Sequence, residues 1–341
     1  MKKLKNRKIL LVGGAGFIGH HLAINLKFHG AEVIVLDSLM INNYYHYLAK
    51  RHITGTGIYL KLIQQRLDLL KEHEIKLIQV DARDYTFVNY LICETGCDTL
   101  IHLAAVAHAN KSNKDPYSTF DHSIRTLENT LDTARTQHCA INHFIFFSSS
   151  MVYGNFNSGT VTEKTTCDPI GIYGALKYCA EKILKSYNDI FGLDYTIIRP
   201  SALYGERCVS RRVGQIFIEQ ALKGEHITVT GDGSDRLDFT YIDDLVAGII
   251  NVLEHKSSRN QIFNLTYGEA RTIGGMVDII KEYFPNIDVR YNPKDRLIPD
   301  RGTLDVSKAK KMLGYNPQYP LERGYRKYIE WYINNWKHLT C

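Results

Sequence analysis

The stretch Ile9-Leu10-Leu11-Val12-Gly13-Gly14-Ala15-Gly16-Phe17-Ile18-Gly19 decides the reading of this chain. An apolar run leads directly into a glycine turn, and the residues after Gly16 open an amphipathic stretch that continues to Phe28. The spacing fits G-x-x-G-x-x-G from Gly13 and G-x-G-x-x-G from Gly14. Glycine lets the backbone turn sharply and come close to a pyrophosphate, whose charge is stabilised by the free N–H groups of the following helix. The pattern gains meaning from its strand, turn and helix setting, and from Asp37, which ends the next apolar run eighteen residues beyond Gly19. A carboxylate there accepts hydrogen bonds from both ribose hydroxyls and repels a 2′-phosphate, so the residues favour NAD over NADP. Gly13, Gly16, Phe17, Ile18, Gly19 and Asp37 are the first candidate cofactor contacts.

Working outward, short apolar runs at 9–12, 33–36, 77–80, 99–103, 144–147 and 196–198 alternate with amphipathic stretches at 16–28, 87–94, 116–136 and 173–191. This alternation predicts an α/β, Rossmann-type doubly wound parallel sheet. After Pro200 the pattern loosens, with helices expected at 214–222, 242–254, 273–283 and 321–336 and strands at 227–229 and 261–265. The expected organisation is a dinucleotide-binding domain over residues 1–199, to which 238–265 returns, and a smaller mixed α/β substrate lobe from 200–237 and 266–341. Residues 41–74 are long for a strand-to-strand connection and predict an added helical excursion. Asp81 and Ala82 follow the third run, and Leu103, Ala104 and Ala105 follow the fourth. Asp81 suits the adenine edge, or else a cap for the helix starting near Thr86. The small residues of the second group let backbone lie against a cofactor.

The 341 residues are 44% hydrophobic and 23% charged, as in an ordinary globular protein, which excludes disulfide scaffolds, collagen and disorder. Lys2, Lys3, Lys5, Arg7 and Lys8 carry five of the 42 basic charges, so the rest of the chain balances 37 basic against 36 acidic residues. That leaves no basic face for nucleic acid. No apolar run reaches the roughly 20 residues of a membrane span. The seven cysteines show no paired C-x-x-C and the histidines no H-E-x-x-H, so no metal site is expected. The cysteines read as reduced core thiols, and the compartment as the cytoplasm.

The motifs together resemble the extended short-chain dehydrogenase/reductases, in particular the nucleotide-sugar epimerase and dehydratase group. The likeness runs from about residue 8 to about 335. It rests on Gly13 to Gly19, Asp37, Asp81, His102-Leu-Ala-Ala105, Ser148-Ser-Ser-Met-Val-Tyr-Gly154, Tyr173-Gly-Ala-Leu-Lys177, Arg199-Pro, Tyr204-Gly205, Gly231-Asp-Gly233 and Asp238-Phe-Thr-Tyr-Ile-Asp-Asp244. The resemblance implies a catalytic set of Ser149, Tyr173 and Lys177. In a helix Tyr173 and Lys177 are i, i+4 neighbours, so an ammonium beside the phenol would favour its ionised form. A second pair, Tyr178 and Lys182, has the same spacing; Tyr173 is preferred because Pro169 and Gly171 put it at the helix start, and Tyr178 is expected inside the helix bundle.

Dehydratases of the group carry Asp-Glu after the catalytic hydroxyl, whereas this chain has Ser150 and Met151. A thioether neither gives nor takes a proton. The reading is therefore NAD-dependent inversion at C4 of a nucleotide-diphosphate sugar through a transient 4-keto sugar. The alternatives are a dehydratase, dehydrogenase or reductase of the same family, and a non-catalytic NAD-binding sensor. The resemblance also implies substrate contacts from Ser112, Ser149, Ser150, Arg207, Arg236 and Arg301, a UDP-sugar, and a homodimer built on 116–136 and 173–191. Asp37 to Tyr45 is similar to the corresponding segment of UDP-glucuronate 4-epimerases.

Overall fold

The computed structural model describes residues 4–51, 57–107, 109–293 and 299–340. Lys2, Lys3, Cys341 and part of the 41–74 excursion lie outside them. Seven strands, β1 (Lys8–Val12), β2 (Glu32–Asp37), β3 (Lys76–Gln79), β4 (Thr99–His102), β5 (His143–Phe147), β6 (Tyr195–Arg199) and β7 (Gln261–Asn264), form one sheet in the order β7-β6-β5-β4-β1-β2-β3. Every pairing in it is parallel.

The strands read as continuous apolar runs because both faces are covered. Side chains alternate with a period of two, and each parity feeds a different core. Ile9, Leu11, Val33, Val35, Ile101 and Ile145 pack with Leu22 and Leu26 of the Phe17–Phe28 helix and with Ile249 of the Ile242–Glu254 helix. Leu10, Val12, Ile34, Leu100, Phe144 and Phe146 pack with Val88, Leu127, Leu131, Ala180 and Leu184 on the other side. Phe217, Ile227, Met276, Tyr325 and Tyr328 continue the first of these cores without a break. The chain after residue 199 is thus packed onto the sheet's own core. The 41–74 excursion contains the helices Tyr44–Ala49 and Gly57–Glu72, the second of which buries Leu62 and Ile63.

Two expectations need correction. Residues 116–136 are a helix at Pro116–Phe120, a π turn at Asp121–Arg125 and a helix at Thr126–Ala134, not one regular helix. A π turn inserts one residue and re-aims the side chains around it. The cysteines, read as reduced core thiols, include a disulfide between Cys93 and Cys139, while Cys179 is exposed and Cys167 half-buried. The partners are 46 residues apart, and only packing of the Tyr85–Thr95 helix beside the Thr126–Ala134 helix brings their Cα atoms to 4.6 Å. The argument for a reducing compartment drawn from free thiols falls with it.

One buried network fixes the long Gly171–Phe191 helix to the sheet. Arg199 at the end of β6 donates to both carboxylate oxygens of Glu181, Nε at 2.9 Å and Nη2 at 2.6 Å, and the Ser148 hydroxyl donates to the same group at 2.5 Å. Both charged side chains are almost wholly buried. Substituting Glu181→Ala strands the Arg199 charge and is expected to cost about 3–5 kcal/mol, read from urea unfolding midpoints at constant slope. A loss below about 1 kcal/mol would show that water or another group replaces the carboxylate.

Candidate active site

Strand order reverses between β1 and β4, and the crevice outside the carboxyl ends of the strands opens there. It is a cavity of about 790 Å³. Gly13 has φ +81°, and a Cβ on it would stand 2.7 Å from the Ala104 nitrogen, so the loop backbone lies directly on the segment after β4. Gly13, Gly16, Phe17, Ile18, Gly19, Leu103, Ala104 and Ala105 all line the cavity. The Phe17–Phe28 helix begins there without a side-chain cap, leaving its first N–H groups for an anion.

Asp37 lines the cavity and also braces the loop, accepting from Ala15 N at 2.9 Å and Leu39 N at 2.8 Å. Burial pushes its carboxyl up, and the two N–H groups oppose that. Asp81 and Ala82 line the same end. Asp81 is paired with Arg83 at 2.7 Å, whose hydrogen bonds hold its carboxyl below the usual range. The cap of the next helix is Asp84, which accepts from Phe87 N, so Asp81 is not that cap.

At the other end, Ser149 follows β5, and Tyr173 and Lys177 project from one face of the Gly171–Phe191 helix; all three line the cavity. Burial raises the Tyr173 phenol pKa, while the Arg212 charge, a hydrogen bond with Ser149 and the Arg301 charge pull it down. Lys177 is tied to the end of β5. Its Nζ donates to the Phe147 carbonyl at 2.6 Å and lies 4.8 Å over the Phe146 ring. Burial pulls that ammonium down to about 8, against the opposing charge of Glu181. Tyr178 packs beside Val152, Tyr153 and Phe156, away from the cavity and outside any helix bundle, with Lys182 over its ring at 5.3 Å.

The expected substrate contacts divide. Ser150 and Arg301 line the cavity beside Ser149 and Tyr173. Ser112 is fully buried and its neighbours Asn110 and Asn113 line the wall in its stead. Arg207 lies off the cavity, with Nε on His20 Nε2 at 3.1 Å and its guanidinium over Trp331. Arg236 is exposed and donates to the Ala270 carbonyl at 3.2 Å, while Leu237 next to it reaches the cavity.

The sequence reading missed Arg212, which lines the cavity as the residue before the Val213–Leu222 helix and donates to the Ala107 carbonyl at 3.2 Å. A signal was there: a cation at a helix N-terminus opposes the dipole, which favours an anion beside it. Asn113 was missed as well; its Oδ1 accepts from Ile172 N at 3.2 Å and closes the first turn of the Gly171–Phe191 helix.

The residues present fit NAD: a loop with no room for a Cβ at Gly13, Gly14 and Gly19, a carboxylate at the end of β2, and small residues after β4. Replacing Asp37 with alanine is expected to weaken NAD binding about tenfold or more in calorimetric titration, with NADP affected less. Equal losses for both would refute a ribose contact.

Residues 9–266 match the model of the NAD dependent epimerase/dehydratase family. A putative UDP-glucose 4-epimerase of Methanocaldococcus jannaschii is 30% identical over 96% of this chain and 99% of its own length. Two crystal structures superpose with a TM-score of 0.83 at 26% identity, each over 96% of this chain and 99% of their own. One is a UDP-glucose 4-epimerase of Thermotoga maritima with UDP-glucose, the other a UDP-glucuronic acid 4-epimerase of Bacillus cereus with UDP-glucuronic acid and NAD. With this fold, this cavity and these matches, the chain belongs to the NAD dependent epimerase/dehydratase family.

Proposed function

We propose that the protein inverts C4 of a UDP-sugar through a 4-keto intermediate. The observation that carries this reading is the company Ser149 and Tyr173 keep. Their neighbours are Ser150 and Met151, and the cavity's carboxylates among the described residues, Asp37 and Asp81, belong to the opposite end. Loss of water across C5 and C6 needs a second acid and base there, and a thioether supplies neither.

In this mechanism the Ser149 hydroxyl hydrogen-bonds the C4 oxygen while Tyr173, as phenolate, takes the C4 hydroxyl proton. Arg212 and Arg301 stabilise that phenolate. Lys177 holds the floor of the site through Phe147. The glycine loop, Asp37 and the small residues after β4 would hold NAD in the crevice, where it would supply hydride-accepting chemistry at C4 with no net redox change. The ketone turns over before it is reduced again, and Tyr173 hands back its proton on the other face. Arg212 and the N–H groups of the Val213–Leu222 helix are the diphosphate partners in this reading, displacing Arg207 and Arg236.

Purified protein incubated with UDP-sugars without added cofactor is expected to yield the C4 epimer by proton NMR. Tyr173→Phe should lower the rate at least about a hundredfold. A stable keto product would favour a dehydratase or dehydrogenase, and no turnover would favour a silent NAD-binding scaffold.

The proposal includes a homodimer and a cytoplasmic location, the latter resting on the nucleotide substrate and no longer on the thiols. No helix among the described residues is long and apolar enough to cross a membrane. Tyr117, Phe120, Ile190 and Phe191 are exposed on the helices expected to pair, with Tyr117 at 87% and Ile190 at 71%. Apolar side chains of that size so far in water support a covered face. Substituting Ile190→Lys is expected to shift sedimentation from dimer to monomer; a wild-type monomer would refute the dimer.

A further inference from the structure

Arg207 stands off the cavity, yet side chains from three helices hold it in place. Its φ of 60° is a left-handed backbone that a residue with a side chain keeps only where its surroundings fix it. His21 Nε2 donates to the Glu206 carbonyl at 3.1 Å, just before it. Arg66, fully buried on the Gly57–Glu72 helix, donates from Nε at 2.9 Å, and from Nη2, to the Arg207 carbonyl. The Arg207 guanidinium lies 5.8 Å over Trp331 of the Leu321–Thr340 helix and donates from Nε to His20 Nε2 at 3.1 Å. The helical excursion over 41–74 thus bears on this turn.

The tautomer of His20 follows from its partners. An arginine only donates, so Nε2 is the acceptor and Nδ1 carries the proton, which it gives to the Gly16 carbonyl at 2.9 Å. Burial lowers the pKa of this ring, and His21, Arg66 and Arg207 lower it further, so it stays neutral as that pair of bonds requires. Gly16 is where the cofactor loop becomes the Phe17–Phe28 helix, and it lines the cavity. One imidazole therefore ties the loop to Arg207. Five residues beyond, Arg212 lines the cavity in front of the Val213–Leu222 helix. The segment between them is braced from within, Cys208 Sγ meeting Ser210 Oγ at 3.4 Å and Arg211 N donating to Gln215 Oε1 at 3.0 Å.

We infer that His20 is a positioning residue for the nucleotide sugar: by fixing Arg207 to the cofactor loop it sets the place of Arg212, and so registers the sugar's diphosphate against the dinucleotide. The inference rests on the epimerase reading, in which Arg212 meets that diphosphate. Its physical sense is distance. Hydride transfer at C4 needs both ligands in one register, and two phosphate seats on separate stretches of chain keep that register only where something joins them.

The test titrates UDP into NAD-loaded protein by calorimetry, for the wild type, His20→Leu, Arg207→Met, the double variant and His20→Gln. Circular dichroism and NAD loading establish that each variant is folded. His20→Leu and Arg207→Met are each expected to weaken UDP binding about tenfold, and the double variant by no more than about twofold beyond the weaker single, because both break the same link. His20→Gln keeps one donor and one acceptor and should bind UDP within about threefold of the wild type. With a UDP-sugar as substrate the loss in His20→Leu should fall on KM, with kcat changed less than about threefold, since Ser149 and Tyr173 are registered by the Glu181 network instead. NAD affinity should change less than about threefold, because the Gly16 carbonyl keeps its bond from His20 N at 3.2 Å. Additive losses in the double variant overturn the inference, as does UDP binding that survives His20→Leu but not Arg212→Met. UDP binding that survives Arg212→Met overturns the assignment of Arg212 first and the inference with it. No C4 epimer from a wild type that binds UDP overturns the epimerase reading itself.

Discussion

The carboxylate of Glu181 is the point on which the geometry of the cleft hangs. It is two turns along from Tyr173 on the same helix, and it accepts from Arg199 at the end of β6 and from Ser148 just after β5. One buried anion thereby sets the height of the helix against two adjacent strands. Ser149 follows Ser148 in the chain, and Tyr173 and Lys177 precede Glu181 at helical spacing, so both sides of the pair we propose to react are referenced to the same charge. The network costs desolvation that apolar packing would avoid, and what it contributes is registration.

Electrostatics divides the cavity. Its carboxylates, Asp37 and Asp81, are at the end where ribose hydroxyls need acceptors, and each already has hydrogen-bond donors. Around the phenol of Tyr173 the charges are cationic. A half-buried phenol resists ionisation, and the two arginines oppose that from across the cleft. Both come from chain beyond residue 199, so the field at this phenol depends on that chain being packed onto the sheet. The continuous core on one face of the sheet, running from Leu22 to Tyr325, gives the mechanical reason why it is.

The sequence determined whatever depends on neighbours within a few residues. Alternating buried strands, the glycine loop, the acid ending β2 and the pair Tyr173 and Lys177 are all set by periods of two or about four, and a chain read in order displays them. The doubly wound sheet follows, because apolar runs buried on both faces have few other ways to pack. Even the placement of Tyr173, rather than Tyr178, at the cleft was readable, from the proline and glycine that start the helix.

Tertiary structure decided what long side chains and distant segments do. Arg207 and Arg236 had the right chemistry in the right neighbourhood of the sequence, yet one turns to His20 and the other to the Ala270 carbonyl at the surface. Arg212 and Arg301 reach the cleft, and Arg301 meets Ser150 from 151 residues away. Cys93 and Cys139 pair because the segments that carry them lie side by side, and Lys177 takes the Phe147 carbonyl. An arginine head can reach in many directions from one backbone position, so its partner is chosen by what the fold packs around it, and local sequence carries no record of that choice.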